Sequence, residues 1–158
     1  YLGTGSDNSG QLRIYDKQGE TRSYLGDGYL QSYNQFGERT IFLGTGTNGG
    51  GYLRTYNFSG QESIYIGTGA DSSGQIRVYD NSGETGSFLG SGYFRTYNRF
   101  GKMTTFIGNA TDGGGYLRTN NKFETETAFL GTNNANEGLI NLNDKFGQSF
   151  WIRLNKKN

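Results

Sequence analysis

The residue types that perform most enzyme chemistry are missing from this sequence. The chain of 158 residues contains no His and no Cys, so it has no Ser–His or Cys–His pair that could activate a nucleophile. Zinc loses its two commonest ligands for the same reason. The carboxylate pairs Asp16 with Glu20 and Asp80 with Glu84 are left as acid–base candidates, but both sit at equivalent turn positions of a repeat. We interpret them as turn residues and expect a protein that is not an enzyme.

Three loops that combine Gly with Asp resemble calcium-binding turns, at 6–10, 71–74 and 111–114. Each loop offers a single carboxylate, whereas Ca²⁺ takes six to eight oxygen ligands. We therefore predict no cofactor and interpret these segments as flexible loops. Calcium in the Gly/Asp loops is the minor alternative.

Tyrosines, phenylalanines and arginines recur along the predicted strands, and they are the third chemical feature. Such a surface could contact another copy of the chain, which we favour, or it could bind glycans through stacking of sugar C–H faces on aromatic rings and anionic groups through the arginines. The candidate contact residues on strands are Tyr15, Tyr33, Phe42, Arg54, Tyr56, Tyr65, Arg77, Tyr79, Phe88, Arg95, Tyr97, Phe106 and Phe129, and those in turns are Phe36 and Phe100.

Composition argues against a single large hydrophobic core. Only 32% of the residues are apolar, against about 45–50% in ordinary domains, yet the chain holds 11 Phe and 12 Tyr, too many for a disordered segment. The net charge is +1 without a basic run, so nucleic acid is not an expected partner. No apolar stretch approaches the ~20 residues of a membrane span. The chain begins with Tyr1, which indicates a processed chain or an excerpt of a longer one.

An internal repeat organises the whole chain. A Leu-Gly or Ile-Gly pair recurs at Leu2, Leu25, Leu43, Ile66, Leu89, Ile107 and Leu130, with successive intervals of 23, 18, 23, 23, 18 and 23 residues and a higher period of 64. Within each unit, period-two alternation and many aromatic residues predict a strand, a turn and a second strand.

A Gly closes the turn in nearly every unit, three residues after an Asn or Asp. Gly accepts the positive φ of a type I turn with a bulge, and the Asx side chain bonds the backbone two residues on. The turn glycines are Gly19, Gly37, Gly60, Gly83, Gly101 and Gly147. Glu124 replaces Gly in the sixth copy, which predicts a different turn geometry or local strain there.

The alternation also predicts which side of each strand is covered. One side carries Leu, Ile and Val, as in Leu12 and Ile14, and we expect it to form a slim aliphatic core. The opposite side carries Tyr, Phe and Arg, as in Tyr52 and Arg54. The solvent-exposed face of an antiparallel sheet is normally polar, and this side is too aromatic to be one. We therefore expect chains to associate through the aromatic side.

These expectations lead to an all-β, repetitive fold of seven strand–turn–strand units. Two architectures stay open: a homotrimeric triple-stranded β-helix or prism, and a single-chain β-solenoid that packs into a larger filament. We predict a repeat domain over residues 1–147, followed by an atypical terminal repeat, or cap, and a tail over 148–158.

The iterated Gly-x-Leu-Arg-x-Tyr-Asn-x-x-Gly … Phe-Leu-Gly-Thr pattern, as in 51–60 and 42–45, resembles the repeat stalks of bacterial surface fibres and of phage or phage-like tail fibres. The resemblance extends from Leu2 to Gly147. It implies a homotrimeric, extracellular, non-enzymatic protein on a cell surface or a virion-like particle, and a shaft with receptor binding at a separate tip. The alternatives are a glycan-binding adhesin that uses the Tyr/Arg side and an ordinary monomeric repeat scaffold.

Overall fold

The structure, a computed structural model, describes residues 1–6, 8–47, 49–133 and 135–154, with only the backbone of 151–154. Fifteen β-strands occupy most of this part of the chain. It contains no helix, and therefore no helix that could span a membrane. The all-β, repetitive prediction is confirmed.

The chain divides into two compact units, Tyr1–Gly83 and Glu84–Asn158. The strands of the first unit are β1 (Leu2–Thr4), β2 (Gly10–Tyr15), β3 (Thr21–Gly26), β4 (Tyr29–Tyr33), β5 (Arg39–Thr45), β6 (Gly51–Tyr56), β7 (Glu62–Thr68) and β8 (Gly74–Tyr79). Those of the second unit are β9 (Thr85–Gly90), β10 (Tyr93–Tyr97), β11 (Met103–Asn109), β12 (Gly115–Asn120), β13 (Glu126–Thr132), β14 (Gly138–Asn143) and β15 (Ser149–Leu154).

The predicted turns have the predicted geometry. In the turn after β6, the Gly60 N–H donates to the Asn57 carbonyl oxygen at 3.0 Å, and Asn57 Oδ1 accepts from the backbone N–H groups of Ser59 and Gln61. Gly60 has φ 73°, and the register shifts by one residue beside the turn, as a bulge requires. Positive φ is found at all six predicted turn glycines: Gly19, Gly37, Gly60, Gly83, Gly101 and Gly147.

The turn that ends at Glu124 has the same geometry as the other copies, and Glu124 itself adopts a strained backbone conformation. Its φ is 66°, a left-handed conformation that side-chain-bearing residues rarely adopt. Its N–H donates to the Asn121 carbonyl oxygen at 3.0 Å, as Gly does in the other copies. Of the two expectations for this position, local strain is the one that the structure bears out.

The connections between the repeat units are tight hairpin turns, where the sequence suggested flexible loops. In the long connector after β7, the Gly69 N–H donates to the Ser73 carbonyl oxygen at 2.7 Å, and Ser72 N–H donates back to Gly69 at 3.0 Å. The short connector Asp27-Gly28 has positive φ at both residues, 51° and 76°, which is the pattern of a two-residue type I′ turn. Inside its unit, each strand therefore pairs with its neighbours in the sequence, and the first and last strands of a unit have one such neighbour each.

This pairing makes each unit an open antiparallel sheet in which strand order follows chain order. β1 to β8 pair consecutively in the first unit, and β9 to β15 do so in the second. A solenoid coil would need consecutive strands to leave the sheet in which they begin, and no described strand of either unit does so. The finer prediction of a β-solenoid, triple-stranded β-helix or prism is thus not what either unit forms by itself.

The predicted terminal cap continues the sheet of the second unit. β15 pairs with β14 from Leu139 opposite Leu154 to Asn143 opposite Ser149. Of the predicted segment 148–158, the residues 155–158 lie outside the described part of the chain.

Candidate assembly surfaces

Five aromatic rings stack in a continuous ladder on one face of the first unit. Each ring comes from the next strand along, from β3 to β7. Consecutive ring centroids are 5.2, 5.5, 5.1 and 5.8 Å apart, which is within the range of favourable aromatic pairs. The members of this first ring ladder are Tyr24, Tyr29, Phe42, Tyr52 and Tyr65.

The second unit repeats the ladder from β9 to β13. Its centroid distances are 5.2, 5.6, 4.6 and 5.4 Å, and Phe106 at its centre is only 5% exposed. Every ring lies 64 residues after its counterpart in the first ladder, so the higher period of the sequence corresponds to one five-ring ladder. The members of this second ring ladder are Phe88, Tyr93, Phe106, Tyr116 and Phe129.

Glycines of the repeated Leu-Gly and Ile-Gly pairs make room for the ladders. Gly67 lies directly opposite Tyr52 in the register of β6 and β7, and a Cβ built on Gly67 would lie 2.5 Å from the Tyr52 Cβ and 2.9 Å from the Tyr65 hydroxyl. Gly131 has the same relationship to Tyr116 and Phe129. The missing side chain lets each tyrosine ring lean across the strand onto a diagonal neighbour.

Arginine side chains lie against the ladder rings and are part of the same face. The Arg54 guanidinium carbon is 4.7 Å from the Tyr52 ring centroid and 5.6 Å from that of Tyr65. Arg95 has the equivalent position in the second unit, 4.2 Å from the Tyr93 centroid. The Nε atoms of both arginines are buried without a hydrogen-bond partner, and their guanidinium groups contribute cation–π contact and stacking. Arg54 also forms a long ion pair with Glu62, at 3.6 Å.

The first ring ladder ends in polar clefts on both sides. On the β2 side, Arg13 lies 5.2 Å above the Tyr24 ring, and partial burial together with the hydrogen bond donated to Asp27 at 3.2 Å raises the pKa of the Tyr24 hydroxyl to about 12. On the β8 side, burial and the nearby Glu62 raise the pKa of Tyr79, beside Arg77.

The structure thus places many of the predicted contact residues in two arrays. The ring ladders take up Phe42, Tyr65, Phe88, Phe106 and Phe129, while Arg54 and Arg95 lie against them and Arg77 lies opposite Tyr65 at the polar end. A further tyrosine row lies at the end of the first strand of each hairpin, beside the turn, and its predicted members are Tyr15, Tyr33, Tyr56, Tyr79 and Tyr97.

The set of predicted contact residues omitted the tyrosines that complete the ladders. Besides Tyr24 in β3, these are Tyr29, Tyr52, Tyr93 and Tyr116, which are the first or second residues of the first strand of their hairpins and lie opposite a glycine. The signal was present in the sequence, because these tyrosines and the Leu-Gly pairs follow the same intervals. Only the strand pairing, however, shows that the two positions face each other.

The phenylalanines in the turns are largely exposed to solvent. Phe36, Phe58 and Phe100 are 76, 89 and 66% exposed, and Arg99 and Lys122 lie above the rings of Phe100 and Phe123, respectively. In the single chain Phe100 and Phe123 therefore have a cationic neighbour, while Phe36, Phe58 and Phe100 stay largely exposed.

The aliphatic face does not form a core within the chain, and that expectation is wrong. Along β5, exposure alternates from residue to residue, with Ile41 and Leu43 exposed and Phe42 half-buried between them. The cause is that ring stacking covers the aromatic face from within, while each unit has no second layer of described residues above the aliphatic face. Phe106 is the one buried hydrophobic side chain among those described.

The Gly/Asp loops use their carboxylates to hold turns. Asp71 Oδ1 accepts from the Ser73 N–H at 3.1 Å and from its hydroxyl at 2.7 Å, and Asp112 Oδ1 accepts from the Gly114 N–H at 3.0 Å. Asp7 of the loop 6–10 lies outside the described residues. The described residues contain no group of three or more acidic side chains that could hold a metal ion.

Comparison with known proteins adds no relationship to this geometry. No protein-family model matches the chain, and no curated protein matches it.

Proposed function

We propose that this chain is a non-enzymatic structural protein that forms the shaft of a fibre or filament by association with copies of itself. The observation that carries the proposal is that each unit has a largely exposed aliphatic face with no layer of described residues above it. Leu43, for instance, is 51% exposed in the middle of β5. A sheet with one apolar face is stable when that face packs against another layer.

Burying the aliphatic face would contribute a large free energy for a unit of this size. Fully burying a Leu or Ile side chain is worth about 1.5–3 kcal/mol relative to leaving it exposed. Residues that are half-exposed in the single chain therefore have on the order of 1 kcal/mol each still to gain. Since the same residue types recur in almost every strand, these increments add along the sheet.

The finer form of the proposal is a homotrimer. Three copies around an axis would turn one face of each sheet inward, in the manner of a prism, whereas stacked copies would form a longer filament. We place the fibre outside the cell, on a cell surface or a phage-like particle, because the repeat style resembles such stalks. The resemblance also supports the absence of catalytic activity.

Sedimentation velocity and light scattering over a range of concentrations, with negative-stain microscopy, test this proposal. We expect particles that grow with concentration, and a mass divisible by three if the trimer is correct. A chain that stays monomeric and folded at high concentration would overturn the proposed function.

Glycan binding is the second candidate function, and the polar cleft beside Tyr24 favours it. The cleft combines Arg13, Asp27 and Gln31 with tyrosine hydroxyls, which is suitable chemistry for a sugar. The ladder itself favours it less, since the faces of its inner rings are occupied by neighbouring rings. A glycan array tests the adhesin, and binding that survives Tyr24→Ala, Tyr56→Ala and Tyr97→Ala would exclude the aromatic face as its site.

A further inference from the structure

We propose that the aliphatic face, and not the aromatic face, is the surface through which copies of this chain pack together, in a trimer as in a longer filament. This inference rests on the proposed self-association and assigns the face that mediates it. The occupant is a second copy, with its own aliphatic face turned inward. Three features of the described residues support the assignment.

The first feature is an unbroken aliphatic row across the first unit. Strand register places one Leu or Ile of each strand directly opposite that of the next, from β1 to β8. No member of the row is charged. Its members are Leu2, Leu12, Leu25, Leu30, Leu43, Leu53, Ile66 and Ile76. In the second unit the corresponding row is Leu89, Phe94, Ile107, Leu117, Leu130 and Ile140.

The second feature is the character of the residues beside this row. The next residue on the same face is Ile14 in β2, Ser32 in β4 and Thr55 in β6. These small or β-branched uncharged side chains leave a low, regular surface. A charged partner would find no complement here, whereas an uncharged aliphatic surface would.

The third feature is a match in spacing and size between the face and its own copy. Neighbouring strands are ~4.8 Å apart, so a matching partner must present apolar side chains at that interval over eight strands. A second copy of the chain does so because its strands have the same spacing. Seven such intervals and strands of roughly 17–20 Å give a footprint of about 600–700 Å² for the first unit. A standard stable interface buries about 800 Å² on each partner, so one unit nearly supplies it.

The aromatic face does not have the same requirement. Its rings are covered by one another and by arginine side chains, and the ladder residues are half-buried or buried in the single chain. In β5 and β8 of the first unit, the residues on the aliphatic face are exposed, whereas the residues on the aromatic face of the same strand are half-buried.

The test compares Leu43→Lys with Tyr15→Lys in the full chain. Leu43 and Tyr15 lie on opposite faces of the first unit with similar exposure, 51 and 43%. Self-association, measured by sedimentation velocity, should weaken by roughly tenfold or more in Leu43→Lys, because an unpaired ammonium would be buried between the layers. Tyr15→Lys should associate like the wild type. Far-UV circular dichroism checks that both variants keep their strands.

Spin labels give a second measurement that does not depend on weakening the assembly. The chain has no Cys, so Leu43→Cys and Tyr15→Cys each carry a single label. Sheets that pack face to face are ~10 Å apart, so we expect strong dipolar broadening for the label at Leu43 and little at Tyr15.

The outcomes separate this inference from the proposed function. Assembly that is unaffected by Leu43→Lys, or broadening at Tyr15 but not at Leu43, would overturn the assignment of the face and leave the fibre intact. A wild-type chain that does not associate overturns both. A wild-type chain that instead binds lipid vesicles through Leu43 overturns the choice of a second copy as the occupant.

Discussion

Gly67 and Tyr52 face each other across β7 and β6, and the absence of a side chain on one makes the ring position of the other possible. A Cβ on Gly67 would lie 2.5 Å from the Tyr52 Cβ, closer than two such carbons can approach. The same pair recurs as Gly131 with Tyr116. The repeated Leu-Gly dipeptide thus encodes both faces of the sheet at once, with Leu on the aliphatic face and space for a ring on the other.

Gly67→Ala should therefore destabilise the first unit by about 1–3 kcal/mol, the usual cost of forcing an extra methyl group into packed surroundings. Urea unfolding followed by circular dichroism measures the loss, and the near-ultraviolet signal of the stacked tyrosines should fall with it. The matched control is Gly74→Ala, because Gly74 is also in a strand but a Cβ there meets no atom within 4 Å. Equal effects of the two substitutions would contradict the proposed role of Gly67.

The repeat, the strands and the turns were predictable because the signals for them are local. An Asx residue followed by Gly at the third position defines the turn after β6 whatever surrounds it, and the structure confirms it at Asn57 and Gly60. Strand content followed from the alternation of residues such as Leu53 and Arg54 for the same reason.

Which face is covered was not predictable, because period-two alternation defines two faces without indicating which of them is buried. The expectation that Leu12 and Ile14 are covered assumed that aliphatic residues are the first to be buried. The assumption failed because the ring ladder depends on diagonal neighbours in adjacent strands, such as Tyr29 and Phe42. Those neighbours become visible only once the connectors are known to be hairpin turns that keep all strands of a unit in one sheet.

Arg54 should stabilise the ladder through its planar guanidinium more than through its charge. Its guanidinium carbon is 4.7 Å from the Tyr52 ring centroid, while its ion pair with Glu62 is long, at 3.6 Å. Arg54→Lys should cost about 0.5–1 kcal/mol, since an ammonium is more strongly hydrated and cannot stack. Urea unfolding measures the change.

The control for Arg54 is Arg99→Lys, since Arg99 lies above the solvent-exposed ring of Phe100 in a turn and should contribute little. Both measurements are repeated in ~1 M NaCl, where the Debye length is about 3 Å and the ion pair is screened. If the effect of Arg54→Lys vanishes in high salt, the ion pair with Glu62 is the main contribution, and the stacking argument fails.

Glu124→Gly should raise the melting temperature of the protein. Glu124 holds φ at 66° where the six other copies of the turn have Gly, and Gly removes the steric cost of that conformation. Thermal unfolding by circular dichroism measures the shift. The reverse substitution in the preceding turn, Gly101→Ala at φ 71°, should lower the stability by about 1–2 kcal/mol.

One compensating contact has to be measured separately at this site. Glu124 receives a 2.8 Å ion pair from Lys102, and this bond lowers the pKa of the Glu124 carboxyl. Lys102→Ala removes the ion pair and keeps the strained backbone, and we expect a small effect because both side chains are about half exposed. A melting temperature that falls in Glu124→Gly by as much as in Lys102→Ala would mean that the ion pair outweighs the strain.

Tyr24 should make the first unit sensitive to alkaline pH. Its pKa is about 12 in the folded chain, because partial burial and the hydrogen bond to Asp27 favour the protonated hydroxyl, against about 10 for an unfolded tyrosine. A group whose pKa is raised by folding stabilises the fold fully below its unfolded pKa. That contribution should therefore be lost as pH rises from about 10 to about 12.

The phenolate absorbance of the wild type minus that of Tyr24→Phe isolates the titration of this residue. We expect a midpoint near pH 12, and we expect Asp27→Asn to move it down toward 10, because Asn removes the carboxylate and still accepts the positive φ of the Asp27-Gly28 turn. Tyr24→Phe should also lose less stability than the wild type between these two pH values. A Tyr24 midpoint near 10 in the folded wild type would show that its hydroxyl is free in solvent and does not donate the hydrogen bond to Asp27.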